Sequence, residues 1–464
     1  MITGIEIYNV LASIVPLYVP MILAYGSVCW WKIFTPEQCS GINRFVAVFA
    51  VPFLNFHFLA FANPYAMNLR FIAADTLQKV VILCALIAWS TLTKCGTLDW
   101  TLTLFSLSSL PNTVVVGVPL LTAMYGDSSA SLMSQIFVMQ GVLWITLMLF
   151  LYEYRAAMRL IAKQFPQNAG AIASLTVHSD VSSLDGDQPL QTDTEVGQNG
   201  DLHVTLRSPS CHCSVASSTI QRASSFNTTR DLHHHRICRT HAPFYGVKHA
   251  TIDIGSSPKS VEDREIEIAV VGIQHCVSEG PKEVKIEDKN ANKKQQMPRA
   301  SVMTRLILTM VSRNLMRNPN TYACVLGLGW SLISFRWNIK MPSIVNGSIL
   351  ILSKTGTGMA MFSLGLFMAL QPKTVAGGNT WAAISMIARF FVGPSVIAIT
   401  SFVIGIRGVL LRVAIVQAAL PQAITSFVFA KEYNLHADIF STAVILGTVV
   451  SLPVTIIYFV LLGL

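Results

Sequence analysis

The chain has 464 residues, 52% of them hydrophobic and 12% charged, with a net charge of +9 at pH 7. Soluble domains carry about 25% charged residues, so a soluble fold of this size is excluded: it could not cover its surface. The basic excess gathers beside apolar runs, as the positive-inside rule expects of a membrane protein, which argues against a nucleic-acid partner.

Apolar runs of about 20 residues, long enough to cross a ~30 Å hydrocarbon layer, recur along the chain. In the first half they predict spanning helices near 7–28, 42–61, 71–93, 101–123 and 133–153. Met1 to Gly4 carry no charge ahead of the first run, so no cleavable leader is expected. The second helix carries His57, read as a packing residue. The third carries Asp75 and Lys79, four residues apart and hence on one helical face. Ionisable groups at membrane depth face a partner or a cavity. The fourth contains Leu110-Pro111-Asn112-Thr113, and its proline removes one helical hydrogen bond.

Residues 1–161 form the first membrane half. From 162 to 300 the chain is rich in Ser, Thr, Asp, Gln, His and Lys, a composition that is expected to remain largely disordered. Arg155, Arg159 and Lys163 precede this loop, and Arg299, Arg305, Arg313 and Arg317 follow it, which predicts a cytosolic loop. Within it, Cys211-His212-Cys213 and His233-His234-His235 fit no zinc module, and no metal or other cofactor is expected. Arg222-Ala-Ser224-Ser225 and Arg299-Ala-Ser301 read as basophilic kinase sites, where phosphate would act electrostatically. Asn227 opens a glycosylation sequon that a cytosolic loop would leave unmodified. The nine cysteines follow no disulfide framework, and all are read as reduced thiols.

The second membrane half, 301–464, repeats the pattern with helices near 318–335, 343–370, 381–404, 409–430 and 439–463. Five being odd, the halves have opposite orientations, the arithmetic of an inverted repeat. The seventh helix holds Lys354 and the eighth Arg389, read as an anchor. The ninth contains Leu420-Pro421-Gln422, matching the fourth. Broken segments at corresponding positions of two halves point to a transporter's midplane site, where Asn112 and Gln422 would offer neutral hydrogen-bonding groups. There is no phosphate-binding loop for ATP-driven pumping and no intramembrane catalytic set, so an enzyme is not expected.

The runs from Lys32 to Pro52, Asn63 to Asn68, Leu110 to Thr113, Arg317 to Tyr322, Gly358 to Lys373 and Phe427 to Tyr433 resemble the plant PIN-FORMED auxin efflux carriers. The resemblance covers both membrane halves and is poor in the loop. It implies an all-α membrane protein of ten helices in two inverted five-helix repeats. The fourth and ninth helices would cross at Pro111, Pro421 and Gln422, and each half would be divided between a scaffold and an elevator-like transport domain. It implies a homodimer that exports the indole-3-acetate anion, lipid contacts, and kinases acting on the loop. By the same resemblance, Val51, Asn55, Asn112, Val114, Gln140, Ile145, Asn320 and Ile424 line the substrate pocket, and Asp75 with Lys79 form a support site. Asn55, Ile145, Lys354 and Ala423 depart from the family's usual Ser, Tyr, Asp and Gly, which bears on affinity. The loop length favours the plasma membrane, with the endoplasmic reticulum as the alternative. Ion-coupled carriage of another organic anion is the rival function.

Overall fold

The computed structural model describes residues 4–93, 96–166, 169–181, 184, 190–196, 202–208, 298–373 and 375–463. The first half comprises α1 (Gly4–Cys29), α2 (Pro36–Phe61), α3 (Leu69–Leu92), α4 (Leu98–Ser109), α5 (Thr113–Tyr125) and α6 (Asp127–Gln164). Three strands follow: β1 (Ile172–Val177), β2 (Gln191–Val196) and β3 (Leu202–Arg207). The rest is α7 (Ala300–Arg317), α8 (Pro319–Trp337), α9 (Ser343–Leu370), α10 (Asn379–Ile404), α11 (Val409–Ala418), α12 (Ile424–Glu432) and α13 (Ala437–Gly463).

Among the described residues, seven helices are long and apolar enough to cross a membrane: α1, α2, α3, α6, α9, α10 and α13. The other three expected spans overlap α8 and the two broken pairs, α4 with α5 and α11 with α12, none of which is among the seven. Helix α6 has 38 residues, a length of about 57 Å at ~1.5 Å per residue. It therefore outreaches a ~30 Å core and carries Arg155, Arg159 and Lys163 beyond it.

The helices sort into two packed groups. Helix α1 lies along α9, and α2 packs on both α8 and α9. In the other group α3 packs on α10 and α4, and α10 packs on α11 and on the α4 side of the first break. Close approach rests on small residues, because helices in lipid gain nothing from excluding water. A Cβ on Gly365 of α9 would stand 2.1 Å from the Met21 carbonyl oxygen of α1. Gly393 of α10 is as constrained, with Ser108 O 2.8 Å from where its Cβ would be.

Four π-turns interrupt the helices, at Val46–Ala50, Thr113–Gly117, Gln140–Trp144 and Ala388–Val392. Three of them end two residues ahead of a proline, namely Pro52, Pro119 and Pro394. A proline ring collides with the carbonyl four residues back in a regular helix. Widening the preceding turn to i→i−5 bonds moves that carbonyl aside; Val118 N–H, for example, donates to Thr113 O.

The expectation of a largely disordered stretch over 162–300 needs correction at its two ends. Residues 172–207 include a three-stranded sheet of order β1-β3-β2, parallel between β1 and β3 and antiparallel between β3 and β2. A sheet this small needs an apolar face to bury or a helix to pack on. Ile172, Leu175, Val204 and Leu206 join Ile161 of α6 and Met303, Leu306, Ile307 and Met310 of α7 in one apolar core. Helix α7, absent from the sequence expectation, is amphipathic, with this apolar face inward. Its Arg313 donates to His178 O and Val177 O, both at 2.8 Å, and Arg317 donates to Ser179 O at 2.6 Å. The two ends of the loop are thereby fastened together. Ser301 is exposed in the first turn of α7. Ser224, Ser225, Asn227, the Cys211–Cys213 and His233–His235 runs, and Cys95 lie outside the described residues. Cys29, Cys39, Cys84 and Cys324 are free thiols.

Candidate functional site

Pro111 and Pro421 have no N–H, so the carbonyls of Leu107 and Gln417 lose their helical partners. Helix α4 stops at Ser109 and α11 at Ala418, leaving two short extended stretches. In hydrocarbon every backbone group must be paired within the protein. The two stretches achieve this by pairing with each other. Asn112 N–H donates to Pro421 O at 2.9 Å and Ala423 N–H to Leu110 O at 3.1 Å, an antiparallel bridge centred on Pro111 and Gln422.

Side chains brace the crossing. Gln140, opening a π-turn of α6, donates through Nε2 to Pro111 O at 2.9 Å. Gln422 Nε2 donates to Ser106 O at 3.0 Å and to Ser426 Oγ at 2.8 Å. Arg389 Nε donates to Leu420 O at 2.6 Å. Asp75 and Lys79 form a buried ion pair, each 1% exposed in its side chain. Gln417 Nε2 donates to Asp75 Oδ1 at 3.1 Å, which ties the pair to α11. Lys79 Nζ also sits 5.9 Å from the centre of the Trp144 ring. Gln78 holds α10 from the same face of α3, donating to Gly393 O at 2.9 Å.

Several buried atoms of this region have no hydrogen-bond partner in the protein: Asp75 Oδ2, Gln140 Oε1, Gln417 Oε1, Gln422 Oε1, Arg389 Nη2 and Ser106 Oγ. Buried polar atoms are paired in folded proteins with few exceptions, and a cluster of exceptions marks a place built for polar contents. Asn112 is half-buried, and no hydrogen bond among the described residues engages its carboxamide.

The positions expected to line a pocket fall into two groupings. Pro111, Asn112, Val114, Gln140, Pro421, Gln422 and Ile424 belong to the crossing or the elements that flank it. Asn55 and Asn320 instead bond each other, Nδ2 to Oδ1 at 2.5 Å, between α2 and α8. No hydrogen bond among the described residues joins the two groupings. Val51 and Ile145 each immediately follow a π-turn, and Val114 lies within one. His57 packs its ring 4.8 Å from that of Phe61. Lys354 is exposed on α9, away from the crossing network.

Gln422, expected to offer its amide to a solute, has its amide nitrogen engaged twice within the protein and keeps Oε1 without a partner among the described residues. Reading the sequence also passed over Gln417 and the π-turns. The proline four residues after Gln417, and the prolines at the second position after three of the four widened turns, were the available signals.

At the loop end of the same helix group, Trp100 stacks between Trp381 and His436, each at a ring distance of 4.1 Å. Thr103 Oγ1 donates to Asp99 O at 2.8 Å, so His436 Nδ1 donates to Thr103 Oγ1 at 2.9 Å. Burial pushes the His436 imidazole below its ordinary range, opposed by Asp99 and reinforced by Arg155 and Arg159.

The family described as membrane transport protein matches residues 9–459. The chain is 43% identical to auxin efflux carrier component 2 of Arabidopsis thaliana, with all of both chains covered. It is 46% identical to probable auxin efflux carrier component 1d of Oryza sativa subsp. japonica and 42% identical to auxin efflux carrier component 1 of Arabidopsis thaliana, again over 100% of each chain. A multi-pass helical chain with paired helix breaks and matches of this extent belongs to the membrane transport protein family and, within it, to the plant PIN-FORMED auxin efflux carriers.

Proposed function

We propose that this chain exports the indole-3-acetate anion. The observation that carries the reading is the crossing itself: two Leu-Pro-amide breaks pair through their backbones, and the Asn112 carboxamide beside them has no partner among the described residues. Freed backbone and amide groups at a crossing of broken helices suit a carboxylate and an indole N–H. Residues Val51, Val114, Gln140, Ile145 and Ile424 supply the remaining lining, with Asn55 and Asn320 as a bonded pair at its edge. The finer reading is ten crossings in two inverted repeats, with α8 and the broken pairs completing the count.

The two packed groups suit an elevator: α1, α2, α8 and α9 as scaffold, and the group around the crossing as the moving part. The scaffold would form the homodimer. An inside-negative potential pushes an anion outward by ~2.3 kcal/mol per 100 mV. At roughly 150 mV this is about 3.5 kcal/mol, a few-hundred-fold gradient, so no coupled ion is needed. The plasma membrane is the expected site, and loop kinases, acting at Ser301 among other residues, the expected regulators.

Export of labelled indole-3-acetate from cells expressing the chain tests the reading, and no export above the untransfected background sinks it. One observation favours a second reading, ion-coupled carriage of an organic anion: the buried Asp75–Lys79 pair beside the crossing could take up a proton. Transport that persists after proton and sodium gradients are collapsed decides against it.

A further inference from the structure

Arg389 is 2% exposed and lies inside the π-turn Ala388–Val392, ahead of Pro394. Its Nε donates to Leu420 O at 2.6 Å, and its Nη1 reaches Leu107 O at 3.5 Å. Leu107 O is the carbonyl that Pro111 leaves without a helical partner, and Leu420 immediately precedes Pro421. One guanidinium therefore touches both breaks on the C-terminal side of α4 and α11. Helix dipoles present partial negative charge there. The planar fork of arginine can address two carbonyls at once, which a lysine ammonium cannot do in the same geometry.

The charge around this clasp is unbalanced. No carboxylate pairs with Arg389 among the described residues. Asp75, the buried acid of the region, is engaged by Lys79 and Gln417. With Asp75 and Lys79 offsetting each other, one buried positive charge is left, and Nη2 has no hydrogen-bond partner. A buried ion without a counterion is expensive, and intramembrane charges that survive this cost usually serve the transport path.

Building on the carrier reading above, we propose that Arg389 is a positioning residue that selects for charge. It locks the two breaks together through their carbonyls, and its charge, which no carboxylate among the described residues balances, makes the crossing prefer an anion over the neutral analogue of the same shape.

The test uses the full chain, purified in detergent for binding and reconstituted into sealed liposomes for turnover, with the variants Arg389→Gln and Arg389→Lys. The readout is the ratio of affinities for indole-3-acetate and for uncharged indole-3-acetamide, by competition against labelled indole-3-acetate. In Arg389→Gln the preference for the anion is expected to fall about tenfold, the size of one lost electrostatic contact. In Arg389→Lys the preference is expected to persist while turnover drops, since the charge remains and the fork is lost. An unchanged ratio in Arg389→Gln, whether both affinities hold or both fall together, overturns the inference, because a purely structural anchor would behave so. Should the glutamine variant not remain monodisperse, the lysine variant decides: loss of the preference with the charge retained overturns the inference. A parent chain that moves no indole-3-acetate overturns the carrier reading and this inference together. Transport by the parent with an unchanged ratio in the glutamine variant overturns this inference alone.

Discussion

The two helix breaks carry the same Leu-Pro-amide motif and put it to different uses. At the first break Asn112 is half-buried, and its carboxamide has no partner among the described residues. At the second, Gln422 is 2% exposed and its amide nitrogen is bound to Ser106 O across the crossing and to Ser426 Oγ one turn along α12. One extra methylene lets the glutamine reach over and brace the opposite helix. The shorter asparagine stays where the chain puts it, and Gln140 braces its break from α6 instead. Matching motifs in two halves thus fix where the backbones open. Side-chain length decides which half presents a group and which half holds the opening in place.

The largest effect on stability is expected beneath the second break. Lys79→Met leaves Asp75 as an unpaired buried charge, and breaking a buried pair costs about 3–5 kcal/mol. The Lys79→Met/Asp75→Leu double variant should recover much of that loss. Thermal unfolding of purified protein reads both. A single variant as stable as the parent would remove the ion pair from the support of this break.

Next in size is the direct contrast. Asn112→Ala should lower indole-3-acetate transport at least about tenfold, the equivalent of ~1.4 kcal/mol, with the unfolding temperature unchanged. Gln422→Ala should do the reverse in emphasis. It loses two buried hydrogen bonds worth about 1 kcal/mol each, so its unfolding temperature falls, while transport per folded molecule changes less. Transport assays at matched surface expression, paired with thermal unfolding, separate the two. Equal behaviour of both variants would end the distinction between presenting and bracing amides.

A smaller, pH-dependent effect belongs to the corner between α12 and α13, at the loop end of the helix group. His436 is held neutral by burial, so its folded pKa lies below the unfolded value of 6.5. The unfolded chain then binds the proton more readily, and stability is lost as pH falls below about 6.5 toward the folded value. His436 has φ 45°, a left-handed conformation that asparagine tolerates best among non-glycine residues. His436→Asn should therefore fold and flatten the stability profile between pH 7 and 5.5. An unaltered slope would assign that pH dependence to other groups.

Much of this arrangement was legible in the residues. Seven of the ten expected spans followed from apolar length, and both breaks followed from proline beside an amide. The π-turns were harder to see because a widened turn leaves no compositional trace. Only Pro52, Pro119 and Pro394 at the second position of the following helix hint at it. The sheet was missed because the stretch was judged by average polarity. Leu202-His203-Val204-Thr205-Leu206-Arg207 alternates apolar and polar residues, a strand signature that an average erases. Its partner surface, the apolar face of α7, lies almost a hundred residues further along the chain. The division of labour between Asn112 and Gln422 depends on where Ser106 and Ser426 stand in space, which no local pattern encodes.

The smallest effect is expected at Lys354. An ionised lysine within a span costs ~2.5–3.5 kcal/mol near the helix centre unless it reaches water or a partner. In α9 it is exposed and shares that outward side with Ile351 at 68% and Leu352 at 43% exposure, a face with the character of a lipid boundary. Its inward neighbours Ser353 and Gly356 are buried, and a Cβ on Gly356 would stand 2.7 Å from Ala50 O, so the helix cannot turn to bring the lysine in. A four-carbon stem lying along the helix can carry the ammonium toward the headgroups, and no contact with the crossing is needed. Lys354→Asp, Lys354→Met and the parent should then show apparent affinities for indole-3-acetate within about twofold of one another, a difference of ~0.4 kcal/mol. A clear weakening in the aspartate variant, with the methionine variant between, would place this lysine within electrostatic reach of the cargo. It would also make the scaffold, and not only the paired breaks, a source of the site's charge.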